Sequence, residues 1–140
     1  MRLGRKKGIT LLELMIVVII IGVLVGIAIP QYLNVVERQK ASEAVQLLGV
    51  LRQAQIRYQA ANGVFAGGAS SPCDTVGLDI DWSAPQYFQD VDCFSGGTPI
   101  VAITRTTNTA YGQYVLSIDE DGTINCSNGA VAGACSKLGY

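Results

Sequence analysis

The sequence predicts an α+β protein: a long N-terminal α-helix whose second half packs on a small antiparallel β-sheet with a disulfide-closed C-terminal region. Three observations predict it. Sixteen consecutive apolar or glycine residues run from Leu14 to Ile29. Ala41, Ala44, Leu48 and Leu51 then recur at three- and four-residue steps, the period of a one-sided helix. Beyond residue 62, runs rich in β-branched and aromatic residues alternate with turn signals, and all four cysteines lie there.

The apolar run is the first element. Extended back to Ile9 it covers 21 residues, interrupted only by Thr10 and Glu13. As a helix it spans about 31 Å, enough for the hydrocarbon core of a bilayer. Arg2, Arg5, Lys6 and Lys7 precede it with no acid among them, which holds that end on the cytoplasmic side. A secretory signal peptide has a similar layout, but its apolar region is shorter and carries no carboxylate. Glu13 is the anomaly, because a carboxylate in a membrane helix is costly unless protonated or paired. Two readings compete: a side chain that snorkels to the interface, or one paired with an α-amino group of Ile9 freed by a cut after Gly8.

Composition narrows the function. The 140 residues contain no histidine, which excludes histidine-based triads, general bases and metal sites. Charged residues make up 15%, well below the soluble average of about 25%. Past Gly8, six basic residues face eleven acidic ones, a poor balance for binding nucleic acid. No phosphate-binding loop, dinucleotide fingerprint or nucleophile elbow occurs, so neither an enzyme nor a cofactor is expected.

Lys7-Gly8-Ile9-Thr10-Leu11-Leu12-Glu13, the apolar run and Pro30 together resemble the processing site and assembly helix of type IV pilins. That family includes the pseudopilins of type II secretion. The likeness is close from Arg5 to about Tyr58 and weak afterwards. It implies cleavage between Gly8 and Ile9 by a prepilin peptidase, with N-methylation of Ile9, where the family normally has Phe. It implies storage in the bacterial inner membrane, then polymerisation of the helices into a homopolymeric surface filament, driven by a separate ATPase. Glu13, Gly22, Gly26 and Pro30 are the implied assembly positions. Gly22 and Gly26 form a GxxxG pair that permits close helix contact, and Pro30 is expected to kink or weaken the helix.

The expected organisation is a leader at 1–8, a transmembrane assembly helix at 9–30, its amphipathic continuation at 31–62 and a sheet domain at 63–140. Two alternatives to a pilin are a major pseudopilin of type II secretion and a membrane-anchored periplasmic binding domain that never polymerises.

In the amphipathic half, Val45, Leu47, Ala54 and Tyr58 widen the apolar stripe, while Glu37, Arg38, Lys40, Glu43, Arg52 and Arg57 form the opposite face. Asn62-Gly63 supplies the stop, since glycine readily takes the left-handed conformation past a helix end. Strands are predicted over Pro99–Thr107, Gly112–Ile118 and Thr123–Ser127, with Asp119-Glu120-Asp121-Gly122 as a turn. Gly67-Gly68, Ser70-Ser71-Pro72 and Gly96-Gly97-Thr98-Pro99 read as loops.

Cys73, Cys93, Cys126 and Cys135 form an even set in a small extracytoplasmic domain, which favours two disulfides with three possible pairings. Cys73–Cys93 and Cys126–Cys135 are preferred because they close short consecutive loops. The second, followed by Ser136-Lys137-Leu138-Gly139, also resembles the C-terminal disulfide region of pilins. A zinc site is disfavoured by the lack of a CxxC pair. Asp74, Asp79 and Asp81, and Asp119, Glu120 and Asp121, are acidic enough to invite calcium, but neither group completes a calcium-loop pattern. No metal is expected.

Overall fold

The structure, a computed structural model, describes residues 8–106, 111–129 and 131–140. Its elements in chain order are α1 (Leu11–Asn62), β1 (Ser71–Pro72), β2 (Phe88–Cys93), β3 (Val101–Arg105), β4 (Tyr114–Ile118), β5 (Ile124–Asn128) and α2 (Ala134–Leu138). The chain divides into two compact units, one through Val36 and one from Glu37. The basic leader residues Arg2, Arg5, Lys6 and Lys7 lie outside the described residues, as does Thr107.

In the first unit, α1 begins at Leu11 rather than Ile9, because Thr10 serves as its cap. The helix continues through Pro30 without interruption. Proline removes one backbone donor there, yet the helix carries on through that turn. Every described residue up to Val35 is exposed.

The second unit is built on one meander. Strands β1 to β5 lie in sequence order, each antiparallel to the next. Along the helix, Ala41, Ala44, Leu48 and Leu51 are buried in one core with Val101 and Ile103 of β3 and Leu116 and Ile118 of β4. Leu47 and Val45 pack at its margin. The period-2 alternation of β4 sends Tyr114, Leu116 and Ile118 inward.

The helix stops where glycine permits it. Gly63 takes φ +78°, its N–H donates to the Gln59 carbonyl, and Asn62 Nδ2 donates to the Tyr58 carbonyl. The next turn is pinned back onto α1 by the buried Gln55. Its Nε2 donates to the Ala66 carbonyl and its Oε1 accepts from the Ala66 N–H, both at 2.8 Å. At Gly67 (φ +120°) a Cβ would come within 2.5 Å of the Cys93 carbonyl oxygen, so only glycine fits that approach.

The structure differs from the sequence reading in four places. The strands predicted at Pro99, Gly112 and Thr123 begin one or two residues later, at Val101, Tyr114 and Ile124. Ser71–Pro72, read as loop, forms the short strand β1. Strand β2 was not predicted because its sequence, FQDVDC, hides its alternation. A bulge between Gln89 and Val91 inserts Asp90 at φ +49°, which shifts the pattern by one residue. The single-turn-scale helix α2 is likewise new. It lies between Gly133 and Gly139, both left-handed, and the Cys135 N–H is held by Asn128 Oδ1 at 2.8 Å.

Candidate functional site

The predicted assembly residues occupy the first unit. Gly8 and Ile9 are exposed and precede the helix, and nothing lies within 4 Å of where a Cβ on Gly8 would sit. An 18-residue window of α1 has mean hydropathy 3.0 and is entirely unburied. Among the described residues nothing covers that surface. Gly22 and Gly26 leave open notches on it, with nothing within 4 Å of an added Cβ. Leu11, Leu14, Met15, Val18 and Ile19 line a shallow apolar groove along the same segment.

Glu13 has a partner that sequence reasoning missed. Its Oε2 accepts from both the Thr10 N–H and the Thr10 hydroxyl at 3.2 Å, and its own N–H donates to Thr10 Oγ1 at 3.3 Å. This is a capping box, legible as the Thr-x-x-Glu spacing before an apolar run. It satisfies two donors at a helix start that otherwise lack partners. In the uncut chain the carboxylate is therefore held next to the Gly8–Ile9 bond.

In the second unit the site of greatest electrostatic density was also missed. Glu37, assigned from sequence to the polar face, is buried at 2% exposure. Arg105 Nε donates to Glu37 Oε1 at 2.6 Å and Arg105 Nη2 to Oε2 at 3.3 Å. The Tyr114 hydroxyl donates to Oε1 at 3.1 Å, and Lys40 Nζ approaches Oε2 at 3.6 Å. Arg105 Nη1 reaches the Tyr87 and Thr106 carbonyls, and Lys40 sits 4.1 Å over the Tyr87 ring. Burial pushes the Glu37 carboxyl up, but the Arg105 bonds and charge outweigh it and hold the group below its ordinary value. Burial and the Glu37 charge push the Tyr114 hydroxyl well above the tyrosine range. A signal existed: Glu37 and Gln55 extend the stripe 41, 44, 48, 51 by the same four-residue step, and Arg105 follows Val101 and Ile103 on one strand face.

Disulfides join Cys73 to Cys93 and Cys126 to Cys135. The first ties the residue after β1 to the end of β2, and the second ties β5 to α2. Of the acidic groups, Asp79 is taken up by a two-bond pair with Arg57 at 2.7 and 2.9 Å. The Asp121 carboxylate accepts from the Thr123 N–H, and Asp119 accepts from Asn125 Nδ2. Among the described residues no three His, Cys, Asp or Glu side chains converge on a common point for a metal.

An exposed apolar helix with one capped carboxylate, joined to a disulfide-closed α+β unit, defines a subunit class whose helix requires an apolar surrounding from outside the chain. Residues 3–29 match the family described as the prokaryotic N-terminal methylation motif. Over 135 residues the chain is 34% identical to the fimbrial protein EcpC of Eikenella corrodens, covering 94% of this chain and 83% of that one. It is 34% identical over 132 residues to the type IV major fimbrial protein FimA of Dichelobacter nodosus, covering 94% and 77%. It is 33% identical over 135 residues to a fimbrial protein of Pseudomonas aeruginosa, covering 86% and 84%. The chain belongs to the type IV pilin family.

Proposed function

We propose that the chain is the structural subunit of a type IV pilus and has no catalytic activity of its own. The observation that carries this is the unburied helix Leu11–Ile29, apolar throughout except for Glu13. Such a surface is stable in lipid or against other copies of itself, and pilus assembly moves it from one to the other. Met1–Gly8 is a leader that keeps four positive charges at the cytoplasmic face of the inner membrane. A prepilin peptidase cuts after Gly8, exposed and without side-chain bulk, and the new amine of Ile9 is methylated.

Removal of the leader frees the helix to leave the bilayer under the drive of a separate assembly ATPase. In the filament core, Glu13 exchanges its cap partner Thr10 for the Ile9 ammonium of a neighbouring copy, which fixes the register of addition. Gly22 and Gly26 admit close helix contact, and Pro30 leaves a turn with fewer hydrogen bonds to resist bending. The disulfides stabilise the outward-facing unit in an oxidising compartment.

N-terminal sequencing of filaments sheared from cells tests the reading. The expected mature terminus is Ile9, and Gly8→Val is expected to leave an uncut precursor in the membrane. Sheared filaments beginning at Met1, or no filaments containing this chain, would overturn it.

A further inference from the structure

The second unit is electrically lopsided along the axis of α1. At its Glu37 end, Arg38, Lys40, Arg105 and Lys137 outnumber the acids Glu37 and Asp90, the latter on β2 between the partners of Thr104 and Ile103. Arg38 Nε donates to the Lys137 carbonyl at 3.1 Å, which brings α2 and its exposed lysine level with the start of the buried stripe. Lys137 Nζ also lies 5.7 Å over the Tyr111 ring, so the two cations share one corner. Arg52, fourteen residues further along the helix, is about 21 Å away. Its Nε and Nη2 donate to the Glu120 carbonyl at 2.9 and 2.7 Å and so clamp the β4–β5 turn at that level. The clamp takes the backbone oxygen, so the exposed Glu120 and Asp121 keep their carboxylates at the surface, that of Asp121 also accepting the Thr123 N–H. Asp74 and Asp81 are exposed on the same half, which Arg57 and Asp79 leave neutral between themselves. Glu43 lies further along the helix, and Asp92, opposite Ala102, is further along the sheet from Arg105.

We infer that the Arg38–Lys137 corner of one copy docks on the Asp119–Glu120–Asp121 turn of a second copy. Two separate patches of opposite sign on one chain make a heterologous contact, which repeats without closing and suits a helical polymer. Complementary charge would steer an incoming copy and fix its register, whereas like charges brought together would repel it. The occupant is a second copy rather than an anionic lipid surface, because only a copy of this chain accounts for both patches. This inference rests on the pilin reading above.

The test expresses the full-length chain in a piliated host lacking its own major pilin and compares sheared filament with processed subunit in the membrane. Arg38→Glu with Lys137→Glu is expected to cut filament yield about tenfold with processing unchanged. Glu120→Lys with Asp121→Lys is expected to do the same, and the four changes combined to restore filaments. Carbodiimide, a zero-length reagent, should link Lys137 of one copy to the 119–121 turn of another in wild-type filaments. Wild-type yield from both reversals, no rescue on combination, or loss only of binding to phosphatidylglycerol vesicles would overturn the inference. If the wild-type chain itself forms no filament, the pilin reading fails instead.

Discussion

Glu37 and Arg105 are 68 residues apart in the chain, and in the fold their charges meet at 2.6 Å with both side chains buried. One is on the helix and the other on β3, so the pair ties helix to sheet at a single point. A third partner, the Tyr114 hydroxyl, comes from β4.

Removing one member strands the other. Glu37→Ala and Arg105→Ala are each expected to destabilise the second unit by about 3–5 kcal/mol, the cost of leaving a buried charge unpaired. The double variant should lose less than the sum of the two. Denaturant unfolding of the full chain in detergent, followed by the near-ultraviolet signal of Trp82 and the tyrosines, checks this.

The same pair makes stability pH-dependent. The folded Glu37 carboxyl lies below its ordinary value of 4.5. A depressed acid contributes fully above the unfolded value, and the contribution disappears as pH falls through the folded one. The wild-type chain is therefore expected to lose stability on acidification below about pH 4.5 more steeply than Glu37→Gln. Parallel slopes for the two proteins would place the acid sensitivity elsewhere.

Each disulfide closes a loop, of 20 residues for Cys73–Cys93 and 9 for Cys126–Cys135. Replacing either pair with alanine is expected to cost about 3 kcal/mol, slightly more for the longer loop. Intact mass without reductant should fall four hydrogens short of the reduced chain, and thermal melting of the two alanine pairs checks the energies.

Glu13 has two separable roles, cap and charge. Glu13→Gln keeps the capping box, since glutamine substitutes there for glutamate, but removes the charge. Glu13→Ala removes both and leaves the Thr10 N–H without its carboxylate partner. Filament recovery by shearing is expected to collapse in both variants while Gly8–Ile9 cleavage continues. Normal filaments from Glu13→Gln would assign this residue to capping alone.

Much of the fold was legible because its strongest signals are periodic. The stripe Ala41, Ala44, Leu48 and Leu51 is the buried face, and Gly63 ends the helix where Asn-Gly predicted. What escaped was polar. Glu37 sits at a stripe position, yet its charge argued for solvent, and only Arg105, far along the chain, overrides that argument. Strand β2 escaped for a related reason, since three of its six residues are Gln or Asp and its bulge breaks the alternation. The Thr10–Glu13 box is legible as Thr-x-x-Glu spacing, although a carboxylate beside an apolar run points equally to a charge partner. Long-range pairing is not written locally, whereas turns and stripes are.

The bare surface of Leu11–Ile29 also limits where the molecule can be found. A side chain such as Leu11, 76% exposed, loses free energy for every apolar group left in water. Water is then a phase that this helix enters only at a cost, and any apolar surrounding, lipid or other helices, removes that cost. The same surface that makes the separate chain a poor solute makes it a good neighbour, because each apolar group covered on one helix covers another in return.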